Sequence, residues 1–542
     1  MVQDYYINVN EGVDQSTLYS YVSIVLDEHS TLDGFFSARC TDSQVTALQS
    51  HSDVSSVDLI SRIKEYEVED STTQIVTAGR SSYPSELASA NSLAAGNWGL
   101  IRHSQNVNNY TATDTNFTAA YSYNFDGDGV DMVFISEAMI NIDNGEYKNG
   151  DVSRIQQFQW NTLNGLSSVE TIDYTSNNRS LHAEGVLAIA CSNTYGWAKK
   201  SRIYLIPRSQ VSNPVNYFEC ARQFHLQKGN SRPTVVFGSF GYAFNSHDPI
   251  KSSITFRGTT YTEYRGLSLK KQPYEYGGFD LGIPSEFKFG LGGTNGFSAI
   301  STAAQALSDA GVITVYSAGN ESQKCDQPGG VDYNNKFVNQ SYNGGTVTYY
   351  PNRGSAQWAS DSIIVGNLSS RQGTFGSDSG VAKEELHFSS NRGDRVDTIA
   401  AGSIIKIGTT IFTQDTVVSG TSYSCPQIAG IAAMVLEKYP TTTPYQMRRY
   451  FRETLRSSAH LYVGKITVTT DLENYGDPTY FNDGCALQGF TGKIAFINPV
   501  SIPDNPTTLF PSSGSYTYTA ETATSQKVTF SVDQINSKLA SV

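Results

Sequence analysis

The sequence predicts an α/β protein with a small α+β unit in front of it and a polar, β-like extension behind. Three observations carry this. Apolar strand-like runs, GVDMVFIS (129–136) and RIYLI (202–206) among them, alternate with helix-like segments. One window, ISTAAQALSDAGVITVYSAGNES (300–322), reads as helix, glycine turn, buried strand and loop. A third stretch, VSGTSYSCP (418–426), runs into an apolar helix in which Ile428, Ile431, Ala432, Val435 and Leu436 recur at i, i+3, i+4 spacing. At 542 residues the chain has room for more than one domain.

Composition narrows the function. The 39% hydrophobic content, with abundant Gly, Ser, Asn, Thr and Tyr, predicts a soluble, loop-rich protein, and no window reaches the apolar length of a membrane span. The net charge of −13 without a long basic run argues against nucleic acid or an anionic membrane as partner. MVQDYYINVNEG has neither a basic n-region nor an apolar h-region, so no secretory signal peptide is visible. The composition leaves localisation open. The six cysteines lie far apart with no CxxC or zinc spacing. They read as mostly free thiols, Cys191 and Cys425 in the core.

Taken in order, residues 1–70 form the small α+β unit. YYINVN alternates as a strand and GFFSAR (34–39) reads as another. A helix capped at Thr41 or Asp42 follows, with Val45 and Leu48 as its stripe, and then a strand through Val54, Val57 and Leu59. Residues 71–95 are polar and small, as expected of an exposed linker or processing segment. The main domain spans 96–460, starting near NWGL (97–100), and the β-rich extension spans 461–542.

A hydroxyl at the start of a buried helix sits among backbone N–H groups and the positive end of the helix dipole, where a nucleophilic serine would have an oxyanion site beside it. The same serine is also an ordinary capping residue. The longer string decides: GTSxSxPxxAG resembles the nucleophile block of the subtilisin-like serine proteases, with Ser422 on the nucleophile. HAEGVLAIACSNTYGWAK (182–199) resembles that family's histidine block, phage-encoded members included, with His182 on the catalytic histidine and Ala183, Glu184 and Gly185 departing from the pattern. AGVITVYSAGNE resembles the block that supplies the oxyanion amide. It implies Asn320 in that role and Ser317, Ala318 and Gly319 as the wall of the first specificity pocket. Ser239, Phe240 and Gly241 resemble the strand that pairs with an extended substrate. DSIIVGNLSS (361–370) and FSSNRGDRVDTIAAG (388–402) match scaffold blocks, and GFFSARCTDSQVTALQSHSDVSSV resembles the inhibitor-type propeptide, with Ser52 in place of its proline.

The acid is the departure. The register fixed by Ile140 and Glu146 puts Glu137 in the aspartate position, while a shift of one puts Ser136 there. The resemblance therefore implies a subtilisin-like three-layer fold with a mainly parallel central sheet. It also implies peptide hydrolysis by Ser422, His182 and Glu137, in the acid–histidine–serine order. A pseudo-protease serving as a structural or binding module in a phage particle is the alternative. The implied partners are a polypeptide substrate, the chain's own N-terminal unit, running toward Ser422 after about residue 65, and, for the alternative, other virion proteins. No cofactor is expected. Members of the family often bind calcium, but no ligand pattern assigns a site.

Overall fold

The computed structural model describes residues 2–60, 97–104, 121–242, 251–264, 298–320, 324–372 and 384–454 apart from short gaps. It also describes strands at 65–67, 74–75, 267–268, 461–462, 515–518 and 528–531 and residues 494–499 and 502.

The N-terminal unit is a four-stranded antiparallel sheet. Its strands are β1 (Val2–Val9), β2 (Ile24–Asp27), β3 (Phe35–Thr41) and, after helix α1 (Asp42–Gln49), β4 (Val54–Leu59), in the order β2-β3-β1-β4. Helix α1 starts where Thr41 and Gln44 satisfy each other's backbone N–H groups, a capping box. Strand β2 carries no clean alternation in the sequence and was not legible there. Successive residues of a strand face opposite sides. One face of the sheet (Tyr5, Ile7, Val9, Phe36, Ala38, Cys40) therefore packs with Leu18 and Leu48 into a core of its own. The other face carries Tyr6 and Phe35, which join the main core. Alongside them Asn8 donates to Ser56 Oγ and Asp58 at 2.9 Å each.

Two short strands follow, β5 (Glu65–Glu67) and β6 (Gln74–Ile75). The main domain is built on β7 (Asp131–Ser136), helix α2 (Leu181–Cys191), β8 (Arg202–Pro207), helix α3 (Pro214–Gln227), β9 (Thr234–Gly238), β10 (Phe240–Tyr242), helix α4 (Ser298–Asp309), β11 (Ile313–Ser317), β12 (Ile363–Gln372), β13 (Thr398–Ala401), the hairpin β14 (Ile405–Ile407) and β15 (Thr416–Val418), and helix α5 (Thr421–Lys438). The central sheet runs β8-β7-β9-β11-β12-β13 and is parallel throughout. An antiparallel strand (Glu384–Leu386) extends it beside β12. Parallel strands covered on both faces must be apolar on both, and β7 and β11 are buried at every position.

Helix α5 packs against α2 and lies on β9, β11, β12 and β13. Helices α3 and α4 pair on the other face, where Phe218 meets Tyr316 edge-on and Phe224 packs against Tyr204. The fold is subtilisin-like, with helices on either side of a parallel sheet. The N-terminal sheet rests on this second helical layer. Strand β1 touches α4, and the Tyr6 hydroxyl donates to Asn213, the residue that caps α3.

Part of the stretch that the sequence marks as a β-rich extension belongs to the main core. Ile494, Ala495, Ile497 and Ile502 are buried, Ile494 bridges to Ile399, and the Ile497 N–H donates to the His103 carbonyl. His103 is the pin. The Ala401 N–H donates to its Nε2 at 2.8 Å, so Nδ1 carries the proton and donates to the Ala495 carbonyl, also at 2.8 Å. Burial, helped by the neighbouring Arg102 charge, pushes this imidazole down from 6.5 to about 3. The unfolded chain therefore binds a proton near pH 6.5 that the folded one refuses until about pH 3. The His103 contribution is complete above pH 6.5 and is lost as pH falls toward 3. Urea unfolding across this window should show a weaker acid loss of stability for His103→Gln than for the wild type.

All five cysteines among the described residues are free and buried, Cys191 and Cys425 as expected, and Cys485 lies outside those residues. Among the described residues no helix is long and apolar enough to cross a membrane, and no cluster of metal-ligating side chains occurs.

Candidate active site

The candidate residues gather at the carboxyl ends of the parallel strands, where a doubly covered sheet leaves its crevice. Glu137 is the first residue past β7. Its carbonyl accepts from the Ser209 N–H at 3.0 Å, and the Arg208 N–H donates to the Ser136 carbonyl at 2.7 Å, so the end of β8 fixes where β7 stops. Both Glu137 carboxylate oxygens reach the start of α2. Oε2 lies 2.8 Å from His182 Nδ1 and Oε1 accepts the Ala183 N–H at 3.2 Å. Of the two registers, the structure sets Glu137, not Ser136, against the histidine. Ser136 is buried in the sheet.

The loop after Glu137 is clamped to α2. Met139 exchanges backbone hydrogen bonds with Asn178 and Ser180, at 3.1 and 3.2 Å. Glu184, one of the departures from the family pattern, accepts the Asn141 N–H at 3.0 Å. Burial raises the Glu184 carboxyl above its ordinary range, opposed by that hydrogen bond. These clamps were not foreseen, because nothing local marks two separated loops as partners.

His182 is buried and meets Tyr423 edge-on, ring centroids 5.5 Å apart. That contact brings the histidine to the turn that carries Ser422. Ser422 sits in the first turn of α5, is fully buried, and has its carbonyl held by the Ser239 hydroxyl at 2.7 Å. Gly420 precedes it with φ +136°, a backbone state that an L side chain resists and that makes the entry to α5 abrupt.

Asn320 follows Gly319, itself at φ +102°, at the end of β11. Its Oδ1 accepts the Thr421 N–H at 3.0 Å and the Thr421 hydroxyl at 2.9 Å. With the amide oxygen so engaged, the amide NH₂ is the group turned elsewhere. Thr421 Oγ1 in turn accepts the Gly319 N–H at 3.2 Å. Thr421 thus ties the β11 turn to the nucleophile turn. Nothing in the sequence singles out Thr421 beyond its place one residue before Ser422. Ser317 and Ala318 are buried, and the Asn391 side chain donates to the Ala318 carbonyl at 2.9 Å.

Phe240 and Gly241, just after Ser239, lie on an edge that is already paired. Strand β5 adds antiparallel to β10, with Phe240 opposite Glu67, Gly241 opposite Tyr66 and Tyr242 opposite Glu65. Strand β6 adds antiparallel to β15, just before the nucleophile turn, with Thr416 opposite Ile75 and Val417 opposite Gln74. The residues between β5 and β6, 68–73, lie outside the described residues.

A polar cluster buttresses the site from behind. Gln427, one turn into α5 from Ser422, exchanges hydrogen bonds with the Asn97 amide at 2.5 and 3.0 Å and accepts from the Trp197 indole at 2.6 Å. Replacing Gln427 by Leu strands these buried donors, each costing about 1–3 kcal/mol. Urea unfolding should show a loss of about 3 kcal/mol.

Residues 288–481, which include Asn320 and Ser422, match the model of the subtilase family. No curated protein gives a significant match by sequence. Among solved structures, an epidermin leader peptide processing serine protease from Staphylococcus aureus is 15% identical. The match covers 89% of this chain and 99% of that one, with a TM-score of 0.46. Fervidolysin from Fervidobacterium pennivorans, a keratinolytic enzyme related to subtilisin, is 12% identical over 89% of this chain and 61% of that one, TM-score 0.44. A cold adapted subtilisin-like serine proteinase is 19% identical over 67% and 92%, TM-score 0.38. Residues 288–481 thus match the subtilase family model, and they lie in a subtilisin-like fold.

Proposed function

We propose that this chain is a serine endopeptidase in which Ser422, His182 and Glu137 form the triad and Asn320 supplies the oxyanion amide. The observation that carries the reading is the 2.8 Å contact between His182 Nδ1 and Glu137. A carboxylate on Nδ1 keeps the proton there, so that Nε2 is the basic nitrogen. His182 would take the Ser422 hydroxyl proton as the oxygen attacks the peptide carbonyl, and would then give it to the leaving amine. Glu137 would stabilise the imidazolium between the two transfers. The negative charge on the tetrahedral oxygen would fall to the Asn320 NH₂ and the Ser422 backbone N–H in the first turn of α5, where the helix dipole favours an anion.

The longer acid is supported by its surroundings. Glutamate extends one methylene beyond the family's aspartate, and the clamps through Met139 and Glu184 belong to the loop that carries it. The N-terminal unit acts in this reading as an inhibitor in cis, with β5 on the substrate edge and β6 on the far side of the nucleophile turn.

A fluorophosphonate probe tests the reading directly. It should label Ser422 once the N-terminal unit has been released, and fail on Ser422→Ala. Absence of labelling after release would favour the pseudo-protease. Thr421→Val tests the oxyanion arrangement, because it removes the hydroxyl that holds the Asn320 oxygen and leaves the nucleophile. Loss of a correctly placed oxyanion donor costs about 10²-fold or more in kcat. Partial misplacement should cost about tenfold, with KM little changed.

A further inference from the structure

Phe240 stands at the substrate edge, yet its side chain is fully buried. Tyr217 and Tyr316 meet its ring edge-on, with centroids at 6.1 and 6.3 Å, so the ring is a fixed platform. The Arg208 guanidinium lies over that platform, 4.6 Å from the ring centroid, and Arg208 is only 7% exposed. A guanidinium stacked on an aromatic face has its planar fork pre-organised for a carboxylate.

The peptide edge brings acidic positions to this place. Glu67 is opposite Phe240 in the β5–β10 ladder. Position 65, two residues earlier, is also glutamate, and the chain there reads KEYEVED.

We propose that Arg208 is a specificity-determining residue that selects peptides with a carboxylate side chain at the strand position opposite Phe240, the position Glu67 holds in cis. The proposal rests on the reading of β10 as the peptide-binding edge. The substrates it implies are acidic segments in extended conformation, bound by main-chain pairing along β10 and discriminated by charge at Arg208.

Amide hydrogen exchange in the full-length Ser422→Ala chain tests this without requiring catalysis. A carboxylate at position 67 that meets Arg208 forms a buried charge pair, and removing one partner of such a pair weakens it by about 30-fold or more. Glu67→Gln and Arg208→Leu should therefore each speed exchange across 65–67 by about that factor and leave α5 unchanged. The charge-swapped chain Glu67→Arg/Arg208→Glu should recover part of the protection, which a purely structural role for Arg208 would not allow. Unchanged exchange in Glu67→Gln overturns the proposal even if Arg208→Leu fails to fold.

Peptidase assays separate this proposal from the one beneath it. The processed wild type should cleave a peptide containing EYEVEDS at least ten times faster than one with Gln in place of the second Glu. Equal cleavage of both overturns the role of Arg208 while the peptidase stands. Cleavage of neither, with no fluorophosphonate labelling, overturns the peptidase, and the exchange data then decide the role of Arg208 alone.

Discussion

Glu137→Gln should lose nearly all peptide hydrolysis, by about 10⁴ in kcat, the loss found when the acid of a trypsin-type triad becomes an amide. The reason is tautomeric. A carboxylate 2.8 Å from His182 Nδ1 can only accept, so it fixes the proton on that nitrogen. An amide can present its NH₂ instead and leave the proton on Nε2, where the base is needed. Glu137→Asp is the sharper experiment, because it restores the family's residue in a loop clamped for a longer one. The shorter side chain should fall short of both His182 Nδ1 and the Ala183 N–H, and activity should drop by about 10²-fold. Peptide hydrolysis by the three proteins, after thermal melts show equal folding, gives the comparison. Equal rates for wild type and Glu137→Gln would remove Glu137 from the mechanism. Unchanged or higher activity in Glu137→Asp would mean that the loop had not adjusted to the glutamate.

The second large effect is on the chain itself. Wild-type protein should be cut within residues 65–95, and Ser422→Ala should remain full length. The pairing of β5 and β6 on either side of the nucleophile turn narrows the expected bond to residues 68–73. Intact-mass spectrometry of both proteins, followed over time after purification, reads the outcome. Cutting of Ser422→Ala at the same bond would assign the cut to another protease. A wild type that stays whole would speak for the pseudo-protease.

How much of this was legible in sequence depends on how local each signal is. The strand of Asp131–Ser136 and the helix from Thr421 announce themselves by apolar runs and period, and the described structure has them in place. Ser422, His182 and Asn320 could be singled out because each lies in a string with a recognisable pattern. Glu137 was ambiguous by one residue, since Ala138 and Met139 replace the residues that would fix the register. Only the contact with His182, 45 residues away, resolves it. Thr421, Gln427 and His103 act through partners roughly 100 to 400 residues distant, and no window contains both ends. Arg208 is of the same kind, because an arginine after a buried strand is unremarkable until the fold sets it over Phe240.

The strands β5 and β6 pair with β10 and β15, on the same chain as the candidate site. While the backbone between them is whole, the covering peptide is present at an effective concentration fixed by its tether, on the order of millimolar for a short link, whatever the amount of protein in solution. With the N-terminal unit read as an inhibitor in cis, dilution cannot uncover the site. Once the link is severed, the N-terminal sheet is held by its docked face alone, through Tyr6, Phe35 and the contact with α4, and its occupancy follows ordinary mass action. A single bond cleavage would therefore turn a concentration-independent block into one that fades as the protein is diluted or as the detached piece is digested. The onset of activity would depend on protein concentration only after that first cut.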